Sequence, residues 1–131
     1  MQLYVVRSKV DKTNEEEKKQ YYGIPIISGV ITEEKIAEEI SERCSLTPSD
    51  VLAALDALSR SLQQHLEDGR SVRLKGIGTF NVSATSSGAD TPEECTPSKM
   101  KAGRIYFRAD KILKSVLGKM KYKLKKTGKN N

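Results

Sequence analysis

Arg73 and Lys75 stand just before two closely spaced glycines in R-L-K-G-I-G-T-F (73–80), and these residue types suit two different chemistries. Glycines beside cations can open a loop whose backbone amides cradle a phosphate. They can also turn one strand into the next and leave the cations on a sheet face. A dinucleotide loop needs a third glycine and then a helix, and a Walker loop needs Gly-Lys-Ser/Thr. Here Gly78 is followed by T-F-N-V-S, which is strand-like. Gly76 and Gly78 are therefore assigned to a structural turn, where glycine alone tolerates the backbone angles. The remaining chemical groups are sparse. His65, the single histidine, suits the negative end of a helix. Cys44 and Cys95 are far apart without a Cys-x-x-Cys motif, and Cys44 reads as a small buried hydrophobe at a helix end. The sequon Asn81-Val82-Ser83 matches by spacing alone. No Cys/His/Asp cluster has metal-ligand spacing, so no metal, cofactor, small-molecule substrate or enzymatic activity is expected.

The elements around this corner follow from periodicity. Thr32 caps a helix with Glu33 and Glu34 in its first turn and Ile36, Ala37, Ile40 and Cys44 along one face. T-P-S-D-V starts a second, longer helix, with Thr47 as cap, Pro48 at its first position and a stripe of Val51, Leu55, Leu58, Leu62 and Leu66. Gly69 closes it as a left-handed cap. The period then changes to two. Val72 and Leu74 oppose Arg73 and Lys75, Phe80 and Val82 oppose Asn81 and Ser83, and Ile105 and Phe107 oppose Arg104, Tyr106 and Arg108. Residues 83–98, small and polar with two prolines, read as a loop or arm. Ile112, Leu113, Val116 and Leu117 mark a final helix.

Outside this block, residues 1–30 read as two strands around the solvated run N-E-E-E-K-K-Q. Pro25 makes the second an edge strand or breaks it. The alternating tail K-M-K-Y-K-L-K reads as a strand pairing with the N-terminal one, and T-G-K-N-N as a disordered end.

Charge is segregated along the 131 residues. Residues 32–69 carry a net −6, whereas residues 99–131 carry twelve basic groups against one acidic, within an overall +6. Such a split favours a polyanionic partner, because cations gain by displacing counterions from phosphates. A sheet with Val72, Leu74, Ile105 and Phe107 inward and Arg73, Lys75, Arg104 and Arg108 outward would suit a duplex. No run approaches ~18 apolar residues, so no membrane-spanning helix is expected. No leader is visible at the N-terminus, which implies a cytoplasmic place.

Helix, tight turn, long helix, D-G-R, strand, G-I-G-T-F, strand, arm, strand and short helix, in that order over Ile31–Leu117, resemble the HU/IHF family of bacterial DNA-bending proteins. V-R-L-K-G-I-G-T-F carries the resemblance most specifically, supported by S-L-T-P-S-D-V-L-A-A-L-D-A-L and F-R-A-D-K-I-L-K. The added termini resemble the extended HU-like proteins of Bacteroides-type bacteria. The resemblance implies an α+β fold: an intertwined homodimer with a helical base, a three-stranded antiparallel sheet and a β-arm in each protomer, plus extra N- and C-terminal strands. The implied organisation is a β extension over 1–30, an HU-like domain over 31–117 and a basic tail over 118–131. The implied partners are double-stranded DNA, bound in the nucleoid with low sequence specificity, and a second copy of the chain. Arg73, Lys75, Lys99, Lys101, Arg104, Arg108, Lys111 and Lys114 would contact phosphates. One departure stands out. Residues 83–98 hold no Lys or Arg but do hold Asp90, Glu93 and Glu94, and Pro92 and Pro97 lie outside the family's R-N-P motif. The wedge that kinks DNA is therefore not carried over to either proline. An HU-fold dimerisation or protein-interaction module that has lost DNA bending stays open as the alternative.

Overall fold

The computed structural model describes residues 1–11 and 18–126, and the chain divides into two compact units. Most of the expected solvated run at 14–20 and the whole expected disordered end at 127–131 lie outside the described residues. Lys18–Gln20, part of that run, belong to a strand.

The central unit covers Glu33–Val116. Its helices are α1 (Glu33–Arg43) and α2 (Pro48–Glu67), which pack on each other and bury Ala37 and Val51. A capping box starts α2: Thr47 Oγ1 accepts from the Asp50 amide at 3.1 Å, and Asp50 Oδ2 accepts from the Thr47 amide at 3.2 Å. Gly69, at φ 81°, ends the helix. The Gly69 amide donates to the Leu66 carbonyl at 3.0 Å and the Arg70 amide to the His65 carbonyl at 2.9 Å, the paired bonds of a Schellman motif. His65 is half-buried, and its Nδ1 lies 2.9 Å from Arg70 Nη1, so it does help to close the helix end. Cys44 is a correction. It lies past the end of α1 and is exposed, because the helix stops at Arg43 and its apolar face ends with Ile40.

Three antiparallel strands follow in the order β3 (Val72–Leu74), β4 (Gly78–Ser86) and β5 (Met100–Ala109). β4 and β5 stay paired out to Ser86 and Met100. The hairpin is thus longer than alternation alone implied, since Ser83, Ala84 and Ser86 are small residues with little strand signature. The expected final helix is one α-turn, α3 (Lys111–Lys114), tightened into a 3-10 turn over Ser115–Lys119. Ser115 Oγ donates back to the Ile112 carbonyl at 2.6 Å, a bond that competes with the α-helical ladder.

The second unit joins Met1–Thr32 with the chain from Leu117. Its sheet has the order β2 (Lys18–Pro25), β1 (Gln2–Asp11) and β6 (Tyr122–Leu124). β1 and β2 are antiparallel, with Tyr4 opposite Pro25. β6 lies parallel to Gln2–Tyr4, so the alternating tail does form a strand beside the N-terminal one. Pro25 closes an edge strand, where its missing N–H leaves no ladder bond unmade.

Candidate nucleic-acid interface

The Gly76–Gly78 corner determines how the sheet presents its charges. The Ile77 amide donates to the Leu74 carbonyl at 3.0 Å, and Gly76 sits at φ 79°, outside the range of ordinary L-residues. Gly78 is buried against β5. A Cβ there would lie 2.3 Å from the Arg108 carbonyl oxygen and 2.6 Å from the Phe107 ring. The amide that a phosphate-cradling loop would aim at its ligand is already engaged: Gly76 N–H donates to Asp110 Oδ2 at 2.8 Å. The Asp110 amide in turn donates to the Ile77 carbonyl at 2.9 Å, which ties the corner to the start of α3. That Gly76 bond, the Lys111 and Ile112 amides and the nearby Arg73 charge hold the Asp110 carboxyl below its ordinary range, against an opposing desolvation. The corner carries its own anion.

Strand pairing assigns the faces. Val72, Phe80 and Phe107 form one row across the sheet, and the two phenyl centroids are 4.9 Å apart at a 47° tilt. Val82 pairs with Ile105 and Ala84 with Ala102 on the same side. Phe80, Val82, Ala102 and Ile105 line a groove of about 610 Å³ with Leu62 and Leu66 of α2. The helix therefore takes the apolar face.

On the opposite face Arg73, Thr79 and Arg108 make a row, and Asn81 pairs with Tyr106. Next comes an irregularity. Between the Val82–Ile105 and Ala84–Ala102 pairs, Ser83 alone opposes two residues, Gly103 and Arg104. Ser83 Oγ accepts from the Arg104 amide at 3.2 Å, and a Cβ on Gly103 would lie 2.8 Å from that oxygen. Strict alternation from Arg104 would turn Lys101 towards α2. The extra residue resets the phase, so Thr85 and Lys101 pair on the outward face. Arg73, Lys101, Arg104 and Arg108 share this face, separated by Thr79, Asn81, Ser83 and Thr85 of the middle strand, with no acidic residue among them.

The other expected contacts lie elsewhere. Lys75 is exposed in the corner, Lys99 is half-buried just before β5, and Lys111 and Lys114 are exposed on α3. Asp90, Glu93 and Glu94 fall in the connection between β4 and β5. Pro92 and Pro97 there each begin a 3-10 turn, closed by Cys95 N–H to Pro92 O at 3.2 Å and a second turn ending at Lys99. Two features escaped sequence reasoning: the bulge that aims Lys101, and Asp110 as the anchor of the corner. Gly103 inside a strand pattern was the available signal for the first. Nothing local marked the second.

Over residues 1–126 the chain matches the family described as HU-HIG, HU domain fused to wHTH, Ig, or glycine-rich motif. It is similar to the DNA-binding protein HRL18 of Rhizobium leguminosarum, with 30% identity over 80 residues covering 53% of this chain and 87% of that one. The DNA-binding protein HU of Streptococcus mutans is 33% identical over 82 residues, covering 60% of this chain and 89% of its own. Among solved structures, a putative bacterial DNA-binding protein from Bacteroides vulgatus superposes with a TM-score of 0.61 at 11% identity. That match takes in 94% of this chain, which spans about half (47%) of the Bacteroides chain. Anabaena HU, crystallised with DNA, gives 0.50 at 17% identity over 66% of this chain and 97% of its own. These two likenesses show the fold.

Proposed function

The chain belongs to the HU-HIG family of HU domains, and from that premise we propose that it binds duplex DNA as a homodimer with little sequence preference. The reading is carried by the sheet face on which Arg73, Lys101, Arg104 and Arg108 stand without an acid. Guanidinium and ammonium groups on a stiff sheet engage phosphate oxygens, which are the same at every base pair, so affinity comes without readout. The side chains between them, Thr79, Asn81, Ser83 and Thr85, are short and neutral, and they leave the cations room to reach a backbone. Lys75, Lys99, Lys111 and Lys114 add charge around this face. The names of the curated relatives, both DNA-binding proteins, agree with the assignment.

The dimer part of the proposal rests on apolar surface in the central unit. Leu58, Ile105, Phe107, Ile112, Leu113 and Val116 are all exposed, Ile105 by 65%, and among the described residues only Ala37, Val51 and Leu66 are buried hydrophobic side chains. A unit this size in water covers such surface by association. An intertwined partner would fill the groove between α2 and the sheet, and the β4–β5 hairpins would extend as arms. The acidic connection at the hairpin end opposes insertion into a negative minor groove, so binding through the sheet face is proposed without bending.

Fluorescence anisotropy on random-sequence duplexes across a salt series tests the whole reading. Four cations per protomer predict a log K against log salt slope of roughly −7 for a dimer using both faces, since each neutralised phosphate contributes about −0.9. Equal affinity for unrelated sequences is expected, and light scattering should give twice the chain mass. Absence of binding even at about 50 mM salt would overturn it.

A further inference from the structure

β1 is ten residues long, but β6 covers only Gln2–Tyr4. The tail strand then leaves, and among the described residues none pairs with the rest of that edge of β1. Gln2 N–H donates to the Lys121 carbonyl at 2.7 Å, and the Tyr4 carbonyl accepts from the Lys125 amide at 2.9 Å. Peptide groups alternate sides along a strand, so the Val6 amide faces this same edge. The next rung of the ladder would join Val6 to the Lys125 carbonyl, and that bond is not made among the described residues.

At this point lies a hollow of about 420 Å³ lined by Val5, Val6, Arg7, Leu124, Lys125 and Lys126. Three of its six lining residues are cations and none is acidic. Arg7 Nη1 donates to the Val6 carbonyl at 3.2 Å, which holds the guanidinium over the open edge. Among the described residues, none of the three cations forms an ion pair. Like charges gathered in one hollow repel each other, and an anion entering it relieves that repulsion. A planar guanidinium beside an outward amide matches the oxygens of a phosphate, with the lysines as point charges. Further cations lie on both strands. Lys9 is two residues beyond Arg7, and Lys123, opposite Leu3, is two residues before Lys125. Cations extending beyond the hollow suit a row of phosphates better than one free ion.

We propose that this hollow takes a backbone phosphate of duplex DNA, as a contact separate from the β3–β4–β5 face; the inference rests on the DNA-binding reading above. The test compares three full-length proteins on one long duplex across a salt series. They are wild type, a variant with Arg7→Gln, Lys125→Gln and Lys126→Gln, and a variant with Arg7→Lys, Lys125→Arg and Lys126→Arg. Far-UV circular dichroism and thermal melts check that each keeps the fold. The neutralised variant should bind more weakly, with a slope shallower by about one for each hollow engaged, while the charge-keeping variant retains the wild-type slope. An unchanged slope in the neutralised variant, or an equal loss in both variants, overturns the inference and leaves the sheet-face reading standing. Wild type that does not bind the duplex overturns both.

Discussion

The two sheets of this protein obey the same alternation and sort their charges differently. In β3–β4–β5, α2 takes one face, so every residue of the other phase is polar or cationic. In β2–β1–β6, no α-helix belongs to the unit among the described residues, and neither face is purely one kind. Arg7, Lys9, Lys18 and Lys123 share a side with Leu3, Val5 and Ile24, while Val6, Tyr21, Tyr122 and Leu124 lie on the other side and are exposed. A period of two separates residues, but only a covering element gives the separation a meaning. In that unit the cations Arg7, Lys125 and Lys126 gather beside the end of β6.

The strongest way to break this contrast is to reverse charge on the helix-backed face. Arg73→Glu with Arg104→Glu is expected to weaken duplex binding roughly 1,000-fold near 0.1 M salt, read by anisotropy, with little change in melting temperature. Binding that survived would mean that the sorted face is an ordinary solvated one. Next in size is Gly78→Ala. Its Cβ would meet a backbone oxygen and an aromatic ring at once, so a loss of about 3 kcal/mol is expected in urea denaturation. Gly29, whose added Cβ would meet nothing within 4 Å, should tolerate the same change with little loss and serves as the control.

A smaller and sharper effect comes from inserting one alanine after Ser83. With a partner supplied for Gly103 the β4–β5 ladder becomes regular, which turns Lys101 towards α2 and Ala102 outward. Affinity should drop about tenfold, and the salt slope should become shallower by about one per protomer. The smallest effect is one of pH. The Asp110 carboxyl is held below its ordinary value near 3.8, chiefly by the Gly76 amide. A group depressed on folding contributes stability above its unfolded pKa, and that contribution is lost as pH falls through the folded value. Asp110→Asn should therefore be less stable than wild type at neutral pH and equal to it in strong acid. Curves that stay parallel throughout would remove Asp110 as the anchor of the corner.

The parts legible in the sequence were those whose physics is local. Thr47, Pro48 and Asp50 announce a helix start within four residues, and Gly69 announces its end, because each satisfies backbone groups beside it. The corner was readable because two glycines next to strand-like residues exclude the phosphate loop. Lys101 was named for its charge, but its direction depends on a mismatch across two strands twenty residues apart in sequence. Asp110 and Gly76 are 34 residues apart, and nothing at either position points to the other. Cys44 was misjudged for a related reason. Helical spacing extends an apolar stripe for as long as apolar residues continue, while the chain leaves the helix one residue earlier.

The bulge at Gly103 also makes the hairpin a device with parity. Beyond it, residues can be added to or removed from β4 and β5 together, in steps of two per strand, without changing which side chains look outward. A single residue added to one strand inverts the side chains of that strand distal to it, unless a bulge such as the one at Gly103 absorbs it. Reach and surface chemistry are thus independent variables in this hairpin. A homologue or a designer could lengthen it by whole pleats and keep the cationic row, or shift one residue and exchange that row for an apolar one.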